Sequence, residues 1–251
     1  MAPSLRILHI TDPHLHAQRE TRMRGVNTDD TLVATLAHAL AGPRQPDLIL
    51  ATGDIVQDET RACYERFRDL LGNLGAPVYC LPGNHDDPVL MRELLSAAPF
   101  KCCGVAEHGP WSLVLLNSYA RNDDGGLLAA EDLDLLERTL ARAASAHYLI
   151  ALHHQPVPMG SLWLDSVPLR NAAEFLAICD RHARIRGIVW GHVHQASDRE
   201  RRGVRLLSTP STCAQFKPGS VRFTLDDRPP GYRWIDLHAD GSIDTSVVWV
   251  E

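Results

Sequence analysis

No stretch of this sequence comes near the roughly 20 consecutive apolar residues that a bilayer-spanning helix requires, so no membrane partner is expected. The N-terminus, Met1-Ala2-Pro3-Ser4-Leu5-Arg6-Ile7, lacks the charged head and long apolar core of a secretory leader. Cysteine is sparse and scattered: Cys63, Cys80, Cys102, Cys103, Cys179 and Cys213 show no CxxC pair and no regular spacing. Cys80 and Cys179 sit inside apolar patterns and read as small core residues. The missing leader and the scattered thiols together point to a reducing cytoplasm. Positive charge is short as well. With 25 Lys and Arg against 31 Asp and Glu, the formal net charge is -6, which gives no reason to expect nucleic-acid binding. A phosphate-bearing substrate would need positive charge supplied locally, by metal ions or a few placed side chains.

What is present suits a folded enzyme. The 251 residues are 45% hydrophobic and 22% charged, enough for a sizeable core. No repeat, low-complexity tract or linker interrupts the chain, so residues 1–251 are expected to form one domain, its last third (about 196–251) rich in β-structure. Apolar runs ending in polar clusters alternate with segments of helical spacing. Leu5 to Ile10, Asp47 to Ala51, Pro77 to Leu81, Trp111 to Leu116, His147 to Leu152 and Ile185 to Trp190 read as strands. Thr28–Leu40, the segment around Tyr64–Leu74 (with Asp58 as a cap), Val89–Ala97, Leu127–Ala144 and Ala172–Cys179 read as helices. Beyond residue 196, partly alternating pieces at Val204–Leu207, Val221–Leu225, Tyr232–Leu237 and Ser246–Val250, separated by turn signals, predict antiparallel strands and hairpins. Phe100-Lys101-Cys102-Cys103 has no clear period.

Five of the apolar strands end in groups able to bind metal: Asp12 and His14; Asp54; Asn84 and His85; His153 and His154; His192 and His194. With His16, seven of the 13 histidines fall in these corners. A single histidine after a strand is ordinarily a hydrogen-bonded loop residue. Five such corners are another matter, because α/β folds gather ligands outside the carboxyl ends of their strands, where residues distant in sequence meet. Carboxylate, amide and imidazole donors without thiolate suit Mn, Fe, Co or Zn ions, and the set is large enough for two, with Asp54 able to bridge. A hydroxide between two such ions is a strong nucleophile near neutral pH, which makes phosphate-ester cleavage the natural chemistry.

The series Asp12-x-His14, Gly53-Asp54, Gly83-Asn84-His85-Asp86, His153 and Gly191-His192-Val193-His194 resembles, in order, the calcineurin-like metallophosphoesterase signature. The later segments Trp163-Leu164-Asp165, Leu169-Arg170-Asn171, Ser208 to Pro218 and Leu237-His238-Ala239-Asp240-Gly241 resemble the bacterial class III 3′,5′-cyclic-AMP phosphodiesterases. The resemblance implies an α/β fold of the metallophosphoesterase type, a four-layer α/β/β/α sandwich of two mixed sheets. It implies that Asp12, His14, Asp54 and His194 hold one ion and Asp54, Asn84, His153 and His192 the other. Iron and manganese come first, with zinc, cobalt or magnesium as alternatives. His153 is preferred to His154 as the ligand, with the reverse assignment left open. His85 is implied to face the phosphate and protonate the leaving oxygen, with Asn84 and His194 also meeting the substrate and Asp54, Asn84 and His85 carrying catalysis. Asp86 would tune a neighbour or cap the turn. Trp163, Phe216 and Lys217 could line a nucleoside pocket or be plain connections; Cys213 could be a packed small residue. The implied substrate is a small cyclic nucleotide, 3′,5′-cyclic AMP giving 5′-AMP, acted on by a monomer or homodimer. Broader activity on 2′,3′-cyclic nucleotides or glycerophosphodiesters is the alternative, and a non-catalytic scaffold of the same fold the third reading.

Overall fold

The computed structural model describes residues 5–43 and 45–251; Met1 to Ser4, the start of the segment in which no leader was read, and Arg44 lie outside the described residues. In chain order the first half runs β1 (Leu5–Ile10), β2 (Arg22–Met23), β3 (Val26–Asn27), α1 (Thr28–Leu40), β4 (Leu48–Ala51), α2 (Arg61–Leu71), β5 (Val78–Cys80) and α3 (Pro88–Leu94). It continues with β6 (Phe100–Cys102), β7 (Gly104–His108), β8 (Trp111–Leu115), α4 (Ala130–Arg142), β9 (His147–Ala151), α5 (Ala172–Cys179) and β10 (Ile185–Trp190). The remainder is β11 (Ser197–Arg201), β12 (Val204–Ser208), β13 (Gln215–Phe216), β14 (Leu225–Asp226), β15 (Gly231–Leu237) and β16 (Ile243–Trp249).

Two six-stranded sheets form, ordered β16-β15-β1-β4-β5-β6 and β11-β12-β10-β9-β8-β7. Each has a parallel centre: β1, β4, β5 and β6 in one, and β12, β10, β9 and β8 in the other. Antiparallel strands flank both centres. The centre strands are covered on both faces, which is why they read as unbroken apolar runs. Leu5, Ile7, Leu48 and Leu50 meet Trp111, Leu113, Leu149 and Val189 in the seam between the sheets. Leu8, Ile10, Ile49 and Val78 face outward, under Leu32, Leu36, Phe67 and Met91 of the first three helices. Ile150, Leu152, Ile188 and Trp190 do the same under Leu133, Leu136, Phe175 and Ile178 of α4 and α5. The order of layers is therefore α/β/β/α, as the resemblance implied. Among the described residues no helix is long and apolar enough to cross a membrane.

Several local expectations are corrected. Asp58 does not cap α2; Thr60 is the N-cap, without a side-chain bond, and Asp58 instead accepts the amide of Ala17 at 2.9 Å and faces His16. Asp87 caps α3, accepting the amides of Val89 and Leu90. Phe100–Cys102, which shows no period, is a parallel edge strand paired with β5. Val221–Leu225 is not a strand; only Leu225–Asp226 pairs, with Gln215–Phe216. The charged Ser197–Arg201 is a strand because it sits at a sheet edge, where charge keeps the open side solvated.

Phe67 is fully buried between α2 and its sheet, 6.4 Å from the Phe100 ring, and far in sequence from every metal-binding corner. Phe67→Ala is expected to cost about 3–5 kcal/mol of unfolding free energy, read as a fall in the urea midpoint at unchanged slope. A loss under about 1 kcal/mol would show that this helix layer is loosely packed.

Candidate metal centre

The carboxyl ends of β1, β4 and β5 meet those of β9 and β10 from the facing sheet, and the side chains that follow them converge. The parallel ladder continues past the strands to lock the corners together. Asp12 donates its amide to Gly53, His14 to Asp54 and Leu15 to Ile55, each at 3.0 Å, and Gly191 donates to His153 at 3.2 Å. These bonds hold an unusual backbone. Asp12, His14, Asp54, His192 and His194 all have positive φ, between 46° and 64°. Left-handed conformations cost non-glycine residues energy, and a cluster of them is a mark of residues aimed at a common point.

Two glycines allow the approach. A Cβ on Gly83 would lie 2.2 Å from Asp54 Oδ1 and 2.5 Å from the Asp54 amide. One on Gly191 would meet Thr11 Oγ1 at 2.0 Å and Asp12 Oδ2 at 2.8 Å.

All seven expected ligands come together. Asp12, His14 and His194 place one ligand atom each within 4.8 Å of one another, as do Asp12, Asp54 and His153. Asp54 Oδ2 stands 3.7 Å from His14 Nε2 and 3.4 Å from His153 Nε2, between the two halves. Asn84 Oδ1 lies 3.2 Å from His153 Nε2 and 3.0 Å from His192 Nδ1. His85 lies beside the cluster rather than outside it: with His14 and Asp54 it forms another group of the same tightness. His154 joins His153 and His192 in a fourth, but its Nδ1 turns to Ser118 Oγ at 2.9 Å and its Nε2 is buried without a partner. His16 stays out, with Nδ1 3.3 Å from the Asp58 carboxylate.

The outer nitrogens decide what the inner ones can be. His14 Nδ1 faces Gln57 Oε1 at 3.0 Å, His153 Nδ1 the Thr52 carbonyl at 2.6 Å, His194 Nδ1 the Ala214 carbonyl at 2.6 Å, and His192 Nε2 the Val167 carbonyl at 3.2 Å. Each of these oxygens accepts, so each outer nitrogen donates, and a neutral ring then turns a lone pair inward. The inner nitrogens of His14 and His194 are 3.2 Å apart. With all four rings neutral, lone pairs, two carboxylates and an amide oxygen face one another. That arrangement is repulsive alone and fits a pair of cations.

Ionisation agrees. Burial lowers His14 and His192 to about 3, keeping both rings neutral. Burial would raise Asp12 and Asp54, but the neighbouring imidazoles, His194 for Asp12 and His153 for Asp54, hold both below the ordinary carboxylate value. Burial also opposes a proton on His153, yet the Asp54 and Asp12 carboxylates raise it to about 9, so with no cation between them this one ring takes the positive charge, its Nε2 toward Asp54 Oδ2 at 3.4 Å. The carboxylates attract a positive charge to the place between them.

Asp86 has a structural task. Its fully buried carboxylate accepts the amides of Gly83, Ile55 and Val56 and the Tyr64 hydroxyl, tying two corners together. It does not touch His85.

The cluster opens into a cleft of about 740 Å³, bordered by Trp163, Phe216, Phe223 and Arg24. Phe216 stacks on the His194 ring with centroids 4.0 Å apart, so this wall rests directly on the centre. Of the three residues left open between pocket lining and plain connection, Trp163 and Phe216 line the cleft, while Lys217 is exposed and does not. Cys213 is a buried small residue whose thiol burial pushes up to about 12. The carbonyls of Thr52, Val167 and Ala214 carry no signal that sequence reading could have used, since backbone oxygens look alike in every residue; Gln57 escapes it because it is one polar side chain among many.

Comparison with known proteins bears on the whole chain. The sequence pattern of the calcineurin-like phosphoesterase family matches residues 5–196. The 3′,5′-cyclic adenosine monophosphate phosphodiesterase CpdA of Escherichia coli K12 is 42% identical over 246 residues, 97% of this chain and 89% of that protein. The protein of the same name from Pseudomonas aeruginosa is 38% identical, over 99% of this chain and 91% of its own. A dimetal phosphatase from Danio rerio superposes with a TM-score of 0.69 over 99% of this chain and all of its own, at 14% identity, which is a likeness of fold.

Gly83→Ala is expected to push the Asp54 carboxylate off its place and to lower bound metal several-fold at an otherwise native circular-dichroism spectrum, measured by elemental analysis after dialysis. Full metal content in that variant would show that the approach of Gly83 to Asp54 is not required.

Proposed function

The chain belongs to the calcineurin-like phosphoesterase family, and we propose that within it the protein hydrolyses 3′,5′-cyclic AMP to 5′-AMP. The observation that carries this reading is the ring of inward-facing acceptors with one histidine, His85, left beside it (His85 Nδ1 on the Gln57 amide at 3.2 Å). Its support is likeness along nearly the full length to proteins named as cyclic-AMP phosphodiesterases.

In this reading Asp12, His14, Asp54 and His194 hold one ion, and Asp54, Asn84, His153 and His192 the second. Two such ions would supply Lewis-acid charge for the phosphoryl oxygens and an activated water. The protein's own groups do the rest. Asn84 and His194 face the cleft and orient the phosphate, and His85 gives a proton from Nε2 to the departing O3′, which otherwise leaves as an alkoxide. His154 is the supporting histidine in this reading, its Nδ1 held by Ser118 Oγ at 2.9 Å. Thiolate-free donors are compatible with iron or manganese, which the resemblance puts first, and equally with zinc or cobalt. Six unpaired cysteines support a reducing compartment, the cytoplasm.

Metal analysis of the purified protein, paired with hydrolysis of cyclic AMP, cyclic GMP, 2′,3′-cyclic AMP and a glycerophosphodiester, tests the proposal. Two ions per chain and fastest turnover of cyclic AMP are expected. Cyclic AMP ranking well below the others would leave only the broader phosphodiesterase, and neither metal nor hydrolysis would leave a scaffold. His85→Ala is expected to keep both ions and lose roughly 100-fold or more in turnover, in the range of general-acid catalysis. If instead that variant loses its metals and added metal changes nothing, His85 is a ligand and not the acid.

A further inference from the structure

Gln57 stands between the rings of His14 and His85, three residues after Asp54 and rigidly placed. Its backbone N–H bonds the Leu15 carbonyl at 2.8 Å, and Ile55, two residues before it, accepts from the Leu15 amide in turn. The side chain makes two contacts: Oε1 with His14 Nδ1 at 3.0 Å, and Nε2 with His85 Nδ1 at 3.2 Å. The two rings lie edge to face with centroids 5.2 Å apart, so a single amide spans both.

A carboxamide has one accepting end and one donating end, and that asymmetry fixes both rings. His14 turns Nε2 toward Asp54 and His194. To offer a lone pair there, a neutral ring must carry its proton on Nδ1. That N–H needs an acceptor, so Gln57 presents Oε1 to His14 and is obliged to present its NH2 to His85. A donor at His85 Nδ1 requires a lone pair on that nitrogen, which puts the His85 proton on Nε2. The amide thereby holds its two neighbours in opposite tautomers, one an acceptor toward the centre and the other a donor toward the cleft. A carboxylate at residue 57 would accept from both Nδ1 atoms and leave a neutral His85 with a lone pair on Nε2, the wrong state for protonating an alkoxide.

We infer that Gln57 is a positioning residue that couples ligand His14 to proton donor His85 by dictating the His85 Nε2–H tautomer. The inference rests on the proposed phosphodiesterase reading for its catalytic meaning, while the tautomer itself is independent of any activity.

Two measurements test it. In wild-type protein labelled with 15N-histidine and loaded with zinc, which is diamagnetic, long-range 1H–15N correlation should give His85 a protonated Nε2 and an unprotonated Nδ1, the His85 signals being identified by their absence in His85→Ala. A protonated Nδ1 on neutral His85 would overturn the inference. Gln57→Leu removes both contacts at similar volume. It is expected to lower kcat for cyclic AMP by at least about tenfold with KM little changed, in line with losses on removing groups that orient metal-site histidines. Hydrolysis of bis(p-nitrophenyl) phosphate, whose leaving group departs without a proton, should fall by a factor at least about tenfold smaller, at unchanged metal content. Equal losses on the two substrates, or loss of metal, would overturn the role by showing Gln57 to be a support for His14 alone. If the wild-type enzyme cleaves neither substrate, the proposed function fails, and the correlation spectrum still decides the tautomer.

Discussion

Everything in this molecule turns on a repulsion that the protein builds into its own centre. Four imidazoles give their outer protons to fixed oxygens and face inward with lone pairs, toward two carboxylates and the oxygen of Asn84. With no cation present, only a proton drawn onto His153 relieves this crowding of acceptors. Left to themselves such groups would separate, and they are prevented from doing so by backbone rather than by side-chain attraction. The amide bonds from Asp12, His14 and Leu15 to the loop after β4, and the buried Asp86 carboxylate that gathers the amides of Gly83, Ile55 and Val56, fix the corners before any ligand arrives. Five left-handed non-glycine residues are the cost of that aim.

The sandwich explains why the corners can be so stiff. Each contributing strand is central to its sheet and covered on both faces, so a corner cannot shift without moving a packed layer. The two sheets present their carboxyl ends to the same cleft, one bringing Asp12, His14, Asp54 and Asn84 and the other His153, His192 and His194. Preorganised charge of this kind need not rearrange as the reaction proceeds, which is where such sites gain over water.

The short run Gly83-Asn84-His85-Asp86 shows how finely the labour divides. Gly83 is there for its missing Cβ, which lets Asp54 approach. Asn84 faces inward and His85 lies beside the centre with its Nδ1 on Gln57. Asp86 points back into the core as a clamp. Adjacent residues on an extended turn point in different directions, so four consecutive positions can serve four separate needs.

Much of this was legible in the sequence. Buried parallel strands announce themselves as unbroken apolar runs, and metal donors placed directly after five of them at strand ends can hardly serve anything but a shared site. The order of those corners resembles a known family closely enough to imply the layers and the seven donors. The charged edge strand Ser197–Arg201 and the aperiodic Phe100–Cys102 escaped, because at a sheet edge neighbours rather than hydrophobic pattern decide strand pairing. Tertiary structure alone decided the rest: which nitrogen of each histidine turns inward, that Gln57 spans His14 and His85, that Lys217 leaves the cleft, and that Asp86 caps its turn on the Gly83 amide and also holds Ile55 and Val56. Those outcomes depend on backbone carbonyls and amides alike in every residue, and on which polar side chain reaches them, and only folding determines which of them stands within hydrogen-bonding distance of a given ring.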